Sequence, residues 1–338
     1  MQRREFLAGL AAMGASALVP DILTGAQNPV AAPPFRIDVH NHGNSPGFIA
    51  AIKAHNTGQT ALMNWTPTKA LEDMDRDGVA TVIMSTSEPS VYFGDAMAAR
   101  ALARECNEYF ARLVADHPTR FGMFATLPLP DVDGALREIE YAFGTLKADG
   151  ACFMSSYEGK YLGDPAFAPV MDELNRRKAA CYTHPFRGGM INMLPEGRAL
   201  GITLSTETTL TIQSILYTNT ATRCPDIRFI WSHGGGTAPY ITSRLGAAVG
   251  PDGKPNANLA ALQKFYYDTA QAFNPYTLAT FTKVVPMSHI LFGTDYPFAQ
   301  AATVAKGLAE FGFKPADLRA IERDNALELF PRLKGRSA

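Results

Sequence analysis

Eight short apolar runs that alternate with amphipathic segments predict an α/β fold, a single (β/α)8 (TIM) barrel over residues 35–335. Strands that alternate with helices indicate a parallel sheet, and eight such units are enough to close a barrel. No Gly-rich dinucleotide-binding loop follows the first run, which disfavours a doubly wound open sheet. The predicted strands are residues 35–39, 79–84, 121–127, 150–155, 179–183, 227–232, 265–269 and 289–294.

The segment after the fourth predicted strand shows how the helices are recognised. Asp164 is placed to cap a helix, and Pro165 suits the first helical position because its missing N–H is not needed there. Apolar residues then recur at helical spacing and predict the buried stripe of that helix. The stripe consists of Phe167, Val170, Met171 and Leu174.

Residues 1–34 are predicted to lie outside the barrel. They contain a charged start, an apolar run from Phe6 to Val19 and a linker of sequence NPVAAPP. The pair Arg3 and Arg4 with the residues that follow resembles a twin-arginine export signal, which implies a periplasmic or secreted protein. The alternative is a frayed amphipathic N-terminus. The apolar run is short for a bilayer span, so stable membrane insertion is not expected after signal removal.

Charge and cysteine spacing exclude two classes of function. The 338-residue chain has 31 basic and 32 acidic residues and a formal net charge of -1, so it lacks the basic surface that nucleic-acid binding requires. None of the four cysteines forms a CxxC pair, which excludes a zinc ribbon. We expect all four to be structural, and Cys152 and Cys181 fall inside predicted strands.

Ionisable side chains follow four of the predicted strands, where a barrel carries its chemistry. Four of the 7 histidines and one aspartate occupy such positions. Imidazoles and a carboxylate crowded on one rim are costly to bury unpaired, and a divalent cation satisfies them together. Nitrogen and oxygen ligands of this kind suit zinc, with manganese or iron as alternatives. The five residues are His40, His42, His184, His233 and Asp295.

Three further features lie near these residues, and two of them have more than one interpretation. Asp38 shares a strand face with His40 and His42, either to orient them or as a buried acid that orients backbone groups. The three glycines after His233 are expected to keep the loop thin so that substrate can approach. The segment 43–67 is too long for a tight turn, and its Phe48 and Trp65 either cover the barrel mouth or pack inside.

The motifs DVHNH, THP, SHGGG and GTDYPF, in this order at strand ends one, five, six and eight, resemble the amidohydrolase superfamily. The branch is that of 2-amino-3-carboxymuconate-6-semialdehyde decarboxylase and the salicylate-type decarboxylases. The stretches FGMFATLPLPDVDGALREIEYA and YLGDPAFAPVMDELNRR look most like the 6-methylsalicylate decarboxylase group. The resemblance spans about residues 35 to 332.

The resemblance implies roles for the rim residues. His40, His42, His184 and Asp295 match the metal ligands, Asp295 also matches a proton donor, and His233 matches the acid/base of catalysis. Binuclear members carry a carboxylated lysine at the end of the fourth strand, where this chain has FMSSYEG and its nearest lysine is Lys160. One divalent metal ion is therefore expected, zinc first and manganese as the alternative.

The implied activity is a metal-dependent non-oxidative decarboxylase, a carboxy-lyase, of a small aromatic or unsaturated carboxylic acid. The alternatives are a metal-dependent hydrolase of a lactone or amide and a barrel that only binds a ligand. Arg244 matches an arginine that grips the substrate carboxylate in the neighbouring subunit, which implies a homodimer; otherwise it is a surface arginine. Arg187 is a second candidate for substrate binding, from within the same subunit.

Overall fold

A computed structural model describes residues 35–187, 194–195 and 198–334, and in them eight parallel strands form one sheet that follows chain order. All eight predicted strands are confirmed. A short antiparallel hairpin after the fourth strand was not predicted; it is formed by β5 (Ser156–Tyr157) and β6 (Lys160–Tyr161). The barrel strands are β1 (Arg36–His42), β2 (Val79–Ser85), β3 (Phe121–Thr126), β4 (Gly150–Met154), β7 (Ala180–His184), β8 (Arg228–Trp231), β9 (Tyr266–Asp268) and β10 (Ile290–Leu291).

Hydrogen bonds between β1 and the chain around β10 close the sheet into a barrel. Val39 N donates to Phe292 O at 3.0 Å, and His42 N donates to Tyr296 O at 2.8 Å. Between them, Asp295 N donates to His40 O at 2.9 Å. The predicted (β/α)8 barrel is therefore confirmed, and the closure itself places Asp295 beside the two histidines of β1.

Helices connect the strands, and the predicted features of α6 are found. Asp164 caps the 3-10 turn Pro165–Phe167 by accepting a hydrogen bond from Ala166 N at 2.8 Å. The predicted stripe of this segment is buried. The described helices are α1 (Pro46–Ala54), α2 (Thr60–Met63), α3 (Pro67–Asp77), α4 (Ala96–Asp116), α5 (Val132–Gly144), α6 (Ala168–Arg176), α7 (Leu200–Tyr217), α8 (Thr220–Arg223), α9 (Ala257–Lys264), α10 (Pro275–Val284), α11 (Ala301–Phe311), α12 (Pro315–Arg319) and α13 (Asn325–Leu329).

The segment 43–67 is part of the packed core, with α1 and α2 inside it. Ser45 caps α1 by accepting a hydrogen bond from Phe48 N at 3.1 Å. The side chains of Phe48 and Trp65 are both buried, in two separate hydrophobic clusters. Of the two interpretations, packing inside the protein is therefore the one that the structure supports.

The four cysteines are buried thiols, as predicted. Burial raises the pKa of Cys152 to about 12, so its reactive thiolate form is scarce at neutral pH. Across the described ranges, no helix has both the length and the apolar character needed to cross a bilayer. The predicted export signal of residues 1–34 lies outside the described residues.

Candidate active site

The structure brings the four predicted metal ligands together on the C-terminal rim of the barrel. His40 and His42 lie at the end of β1, His184 ends β7, and Asp295 lies in the turn after β10. All four are buried, and their ligand atoms lie within 4.8 Å of one another. Asp295 Oδ1 is 3.1 Å from His40 Nε2, 3.2 Å from His42 Nε2 and 3.9 Å from His184 Nε2. Three imidazoles thus converge on a single carboxylate oxygen.

Neutral groups hold the outer nitrogens of two of these imidazoles. His184 Nδ1 is 2.9 Å from Pro185 O, and because a carbonyl oxygen only accepts, Nδ1 carries the hydrogen. His42 Nδ1 is 3.3 Å from the hydroxyl of Ser85. Partners of this kind hold the orientation of each ring, so both rings direct Nε2 at the site, and the Pro185 carbonyl also fixes the tautomer of His184.

His40 lies between two carboxylates. Asp268 Oδ2 is 2.8 Å from its Nδ1 and Asp295 Oδ1 is 3.1 Å from its Nε2, yet neither ring nitrogen makes a well-directed hydrogen bond. Burial alone would lower the pKa of His40, but the two carboxylates outweigh burial and raise that pKa to about 10. A buried site with more negative than positive charge and undirected imidazole nitrogens fits a divalent cation.

The other ligands are already in the forms that bind metal. Burial lowers the pKa of His42, and it lowers the pKa of His184 to about 3. Burial alone would raise the pKa of Asp295, but the surrounding imidazoles, His40 first, hold it well below its usual range. Two neutral imidazoles and an ionised carboxylate are therefore present before any metal binds.

His233 contacts the opposite side of the same carboxylate. Its Nε2 lies 3.2 Å from Asp295 Oδ2, whereas the ligand imidazoles face Oδ1. Gln271 Nε2 also donates to Oδ2 at 3.2 Å from an exposed position. His233, Gln271 and Asp295 all have positive φ, of 54°, 54° and 68°, and such backbone in non-glycine residues is concentrated at functional sites. His233 is adjacent to the ligand cluster without belonging to it.

The three glycines after His233 are required by the backbone conformation and by close packing. Gly234, Gly235 and Gly236 have φ of 62°, 78° and 64°, a region that side chains disfavour. A Cβ at Gly235 would lie 2.6 Å from the ring of Tyr267, and one at Gly236 would lie 2.2 Å from the carbonyl oxygen of Ser205. Close packing therefore sets the course of the chain after His233.

Asp38 orients backbone groups and does not touch an imidazole. It accepts hydrogen bonds from His40 N at 3.0 Å, from Thr294 N at 3.1 Å and from Thr294 Oγ1 at 2.7 Å. Burial raises its pKa to about 6, against the hydrogen bonds that lower it. Of its two interpretations, the buried acid is correct, and it joins β1 to the turn that carries Asp295.

Neither candidate arginine is brought into the ligand cluster. Arg187 forms an ion pair with Glu88, and its backbone N donates to Glu88 Oε2 at 3.0 Å. Arg244 lies in the 3-10 turn Thr242–Leu245 and is exposed. Within the described ranges, no hydrogen bond or ion pair of its side chain is found.

Sequence reasoning missed Asp268 and Gln271, which lie at the end of the seventh barrel strand, β9, and just after it. The rule that chemistry follows barrel strands would have found them, because Asp268 is the last residue of β9.

Comparison with known proteins decides the family. The amidohydrolase family model matches residues 37–332, which is most of the chain. The chain belongs to the amidohydrolase family. This result confirms the resemblance that the four motifs indicated.

Several relatives of this amidohydrolase are decarboxylases. It is 35% identical to the decarboxylase yanB of Aspergillus niger over 325 residues, 88% of either chain. It is 34% identical to 6-methylsalicylic acid decarboxylase of Penicillium expansum, over 89% of this chain and 97% of the relative. The solved structure of a 2,6-dihydroxybenzoate decarboxylase with 2,6-dihydroxybenzoate superposes with a TM-score of 0.76 at 25% identity, over 88% and 99% of the two chains. These relatives agree with the predicted carboxy-lyase class.

Proposed function

We propose that the protein is a metal-dependent, non-oxidative decarboxylase of a hydroxybenzoic acid of the 6-methylsalicylate type. The proposal rests on the fact that the two carboxylate oxygens of Asp295 contact different imidazoles. Oδ1 faces the three ligand imidazoles, and Oδ2 faces a fourth, His233. This arrangement combines a metal site with an adjacent proton-transfer pair. The similarity to 6-methylsalicylic acid decarboxylase over nearly the whole chain supports the choice of substrate class.

An exposed aromatic side chain beside the ligands suits a substrate with a ring. The ring centroid of Phe298 lies 6.1 Å from that of His42, with an angle of 70° between the planes. Its side chain is 40% exposed, although it is large and apolar. An apolar wall beside a cluster of polar groups is typical of sites that bind small aromatic ligands.

The chain's own residues can supply the proton that replaces carbon dioxide. When bound, a divalent cation supplies a Lewis acid for substrate oxygens. His233 Nε2 lies 3.2 Å from Asp295 Oδ2, and in this proposal the pair passes a proton to the ring carbon that bears the carboxylate. The bond from that carbon to the carboxylate then breaks, its electron pair restores the aromatic ring, and carbon dioxide leaves. No oxidant is required.

Product analysis tests this proposal. Purified protein is incubated with 6-methylsalicylate and, separately, with simple lactones, while carbon dioxide and pH are measured. We expect carbon dioxide and 3-methylphenol in equal amounts from 6-methylsalicylate. Acid release from a lactone without carbon dioxide from any hydroxybenzoate would favour the hydrolase alternative. No turnover in either assay would favour the ligand-binding alternative.

The metal of the proposal is a single zinc ion, with manganese as the alternative. Three imidazoles and one carboxylate are ligands that zinc accepts in four-coordinate sites, but mixed nitrogen and oxygen ligation also suits manganese. Lys160, the lysine nearest to the end of β4, is exposed on the hairpin strand β6. Elemental analysis of the protein as purified is expected to give one metal ion per chain. Two per chain would contradict the proposal.

The proposed assembly is a homodimer in which Arg244 reaches the partner's site. Helix α7 exposes three large apolar side chains, Ile202 at 69%, Leu210 at 39% and Tyr217 at 81%, whereas Glu207, its one charged residue, is buried. Contiguous exposed apolar residues mark interaction surfaces. The chain between His233 and Arg244 is attached to α7, because Thr237 N donates to Thr209 Oγ1 at 2.8 Å.

Mixing two inactive variants tests whether Arg244 acts across the dimer. Arg244→Ala and His233→Ala are each expected to lose activity, whereas their heterodimer has one site with both wild-type groups. Restored activity after mixing supports action in the partner's site, and no restoration contradicts it. Arg176→Ala is the matched control, because this arginine is also exposed and pairs within its own helix, with Glu173.

The proposed location is the periplasm or the exterior, reached by twin-arginine export. Support comes from the sequence of residues 1–34 alone.

A further inference from the structure

We propose that Asp268, at the end of β9, is a positioning residue that sets the metal ligand His40 and the acid/base His233 at the same time. The inference rests on the proposed function of this rim as a metal-dependent active site. Asp268 is fully buried, and its two oxygens have different partners. Oδ2 lies 2.8 Å from His40 Nδ1, and Oδ1 accepts hydrogen bonds from His233 N at 2.9 Å and Ala270 N at 3.0 Å.

The contact with His40 selects the tautomer of that ligand. A carboxylate oxygen 2.8 Å from a ring nitrogen is attractive only if the nitrogen carries a hydrogen, because two lone pairs at that distance repel. With Nδ1 occupied by Asp268, Nε2 is the nitrogen that faces the other ligand atoms, 3.1 Å from Asp295 Oδ1, where the metal site is formed. Asp268 therefore makes Nε2 the ligand atom of His40.

Asp268 differs from the corresponding partners of the other two ligand imidazoles. Those partners are the hydroxyl of Ser85 and the carbonyl of Pro185, which are neutral. A carboxylate behind an imidazole orients the ring more strongly and makes it a more basic ligand. Among the three ligand imidazoles, His40 is thus the one whose metal affinity depends on a second charged residue.

The contact with His233 fixes a strained backbone. His233 has φ of 54°, a conformation that is unfavourable for a non-glycine residue and persists only where neighbouring groups hold it. Asp268 Oδ1 holds the N–H of His233 in this conformation. The position of this backbone in turn determines where His233 Nε2 meets Asp295 Oδ2. One carboxylate of β9 therefore couples the ligand of β1 to the acid/base that follows β8.

The test variant is Asp268→Asn, because the amide has one acceptor where the carboxylate has two. The NH2 group of the introduced amide cannot accept a hydrogen bond. Either the ring N–H of His40 or the backbone N–H groups of His233 and Ala270 therefore lose their acceptor. Competition with a chelator, using Mn²⁺ or Zn²⁺ as the probe, is expected to show metal affinity about 10- to 100-fold weaker than wild type. At saturating metal, kcat is also expected to fall, because His233 is no longer held.

A second buried carboxylate supplies the control. Glu138 on α5 accepts a hydrogen bond from Asn107 Nδ2 at 2.8 Å and pairs with Arg104, away from the metal ligands. Glu138→Gln is expected to lower thermal stability while leaving metal affinity unchanged. Wild-type metal affinity in Asp268→Asn would overturn the proposal.

A double-mutant cycle shows whether Asp268 acts through His40. In a His40→Ala background, Asp268→Asn is expected to cause no further loss of metal affinity, whereas in a His42→Ala background the loss persists. Equal losses in the two backgrounds would overturn the proposal.

Should Asp268→Asn fail to fold, the zinc-loaded wild-type protein is studied instead by nitrogen-15 NMR of its histidines. We expect His40 to bind through Nε2 with its hydrogen on Nδ1, and binding through Nδ1 would overturn the proposal. Metal affinity and the His40 tautomer are both measured without substrate. These tests of the role of Asp268 therefore do not depend on whether the protein is a decarboxylase.

Discussion

Metal binding to the metal-free protein is expected to release about one proton at pH 8, and the structure identifies its source. His40 has its pKa raised to about 10 by the two carboxylates, so it is protonated at this pH. His42 and His184 have lowered pKa values and are neutral, and Asp295 is ionised because its pKa is lowered. Only His40 must therefore lose a proton to become a ligand.

The release of one proton from His40 determines the sign and size of the pH dependence of metal affinity. His40 has a pKa above its ordinary value of 6.5, so its protonated form competes with metal until the pH rises through about 10. Below that pH, affinity is expected to increase about tenfold per pH unit, equivalent to about 1.4 kcal/mol. Between pH 6.5 and 8.5 the expected change is about 100-fold.

Calorimetric titration with Mn²⁺, in buffers of different ionisation enthalpy, measures the protons released. Manganese is the probe because zinc promotes the ionisation of water near pH 7, which would add a second proton to the count. No pH dependence would refute the assignment of a protonated His40, and a slope of two or more would show that His42 or His184 is also protonated. Asp268→Asn is expected to lower the slope, since one of the two carboxylates that raise the pKa of His40 is lost.

Three further predictions concern catalysis, ligation and export. His233→Ala is expected to keep its fold and its metal but to lose about two to four orders of magnitude in kcat, and His233→Asn is expected to fare little better, because neither side chain carries a proton. Wild-type turnover would exclude proton transfer by His233. Asp295→Ala is expected to lose most bound metal and activity together, as elemental analysis and product assays measure; full metal content would remove it from the ligand set. Deletion of residues 1–30 is expected to leave a folded, metal-loaded protein, whereas Arg3→Lys combined with Arg4→Lys blocks export of the full chain. Undiminished periplasmic protein from the double variant would disprove twin-arginine export.

The strand order and the candidate metal ligands could be predicted from the sequence, because both depend on local sequence patterns. Apolar runs that alternate with amphipathic segments specify parallel strands, and a parallel barrel brings every C-terminal strand end to one rim. His40, His42, His184 and Asp295 could therefore be grouped although 255 positions separate the first from the last. The family motifs added the distinction between ligands and His233.

Only the tertiary structure showed which side chains contact the histidines and the arginine predicted for the site. Asp268 and Asp38 both lie in barrel strands beside histidines, yet Asp268 contacts an imidazole and Asp38 contacts backbone N–H groups. The structure also supplied the partner of Arg187, the second candidate for substrate binding, whose charge is paired with Glu88. The physical reason is that hydrogen bonds and ion pairs depend on side-chain directions across neighbouring strands to within a few tenths of an ångström, whereas strand periodicity determines only which face and which rim a residue occupies.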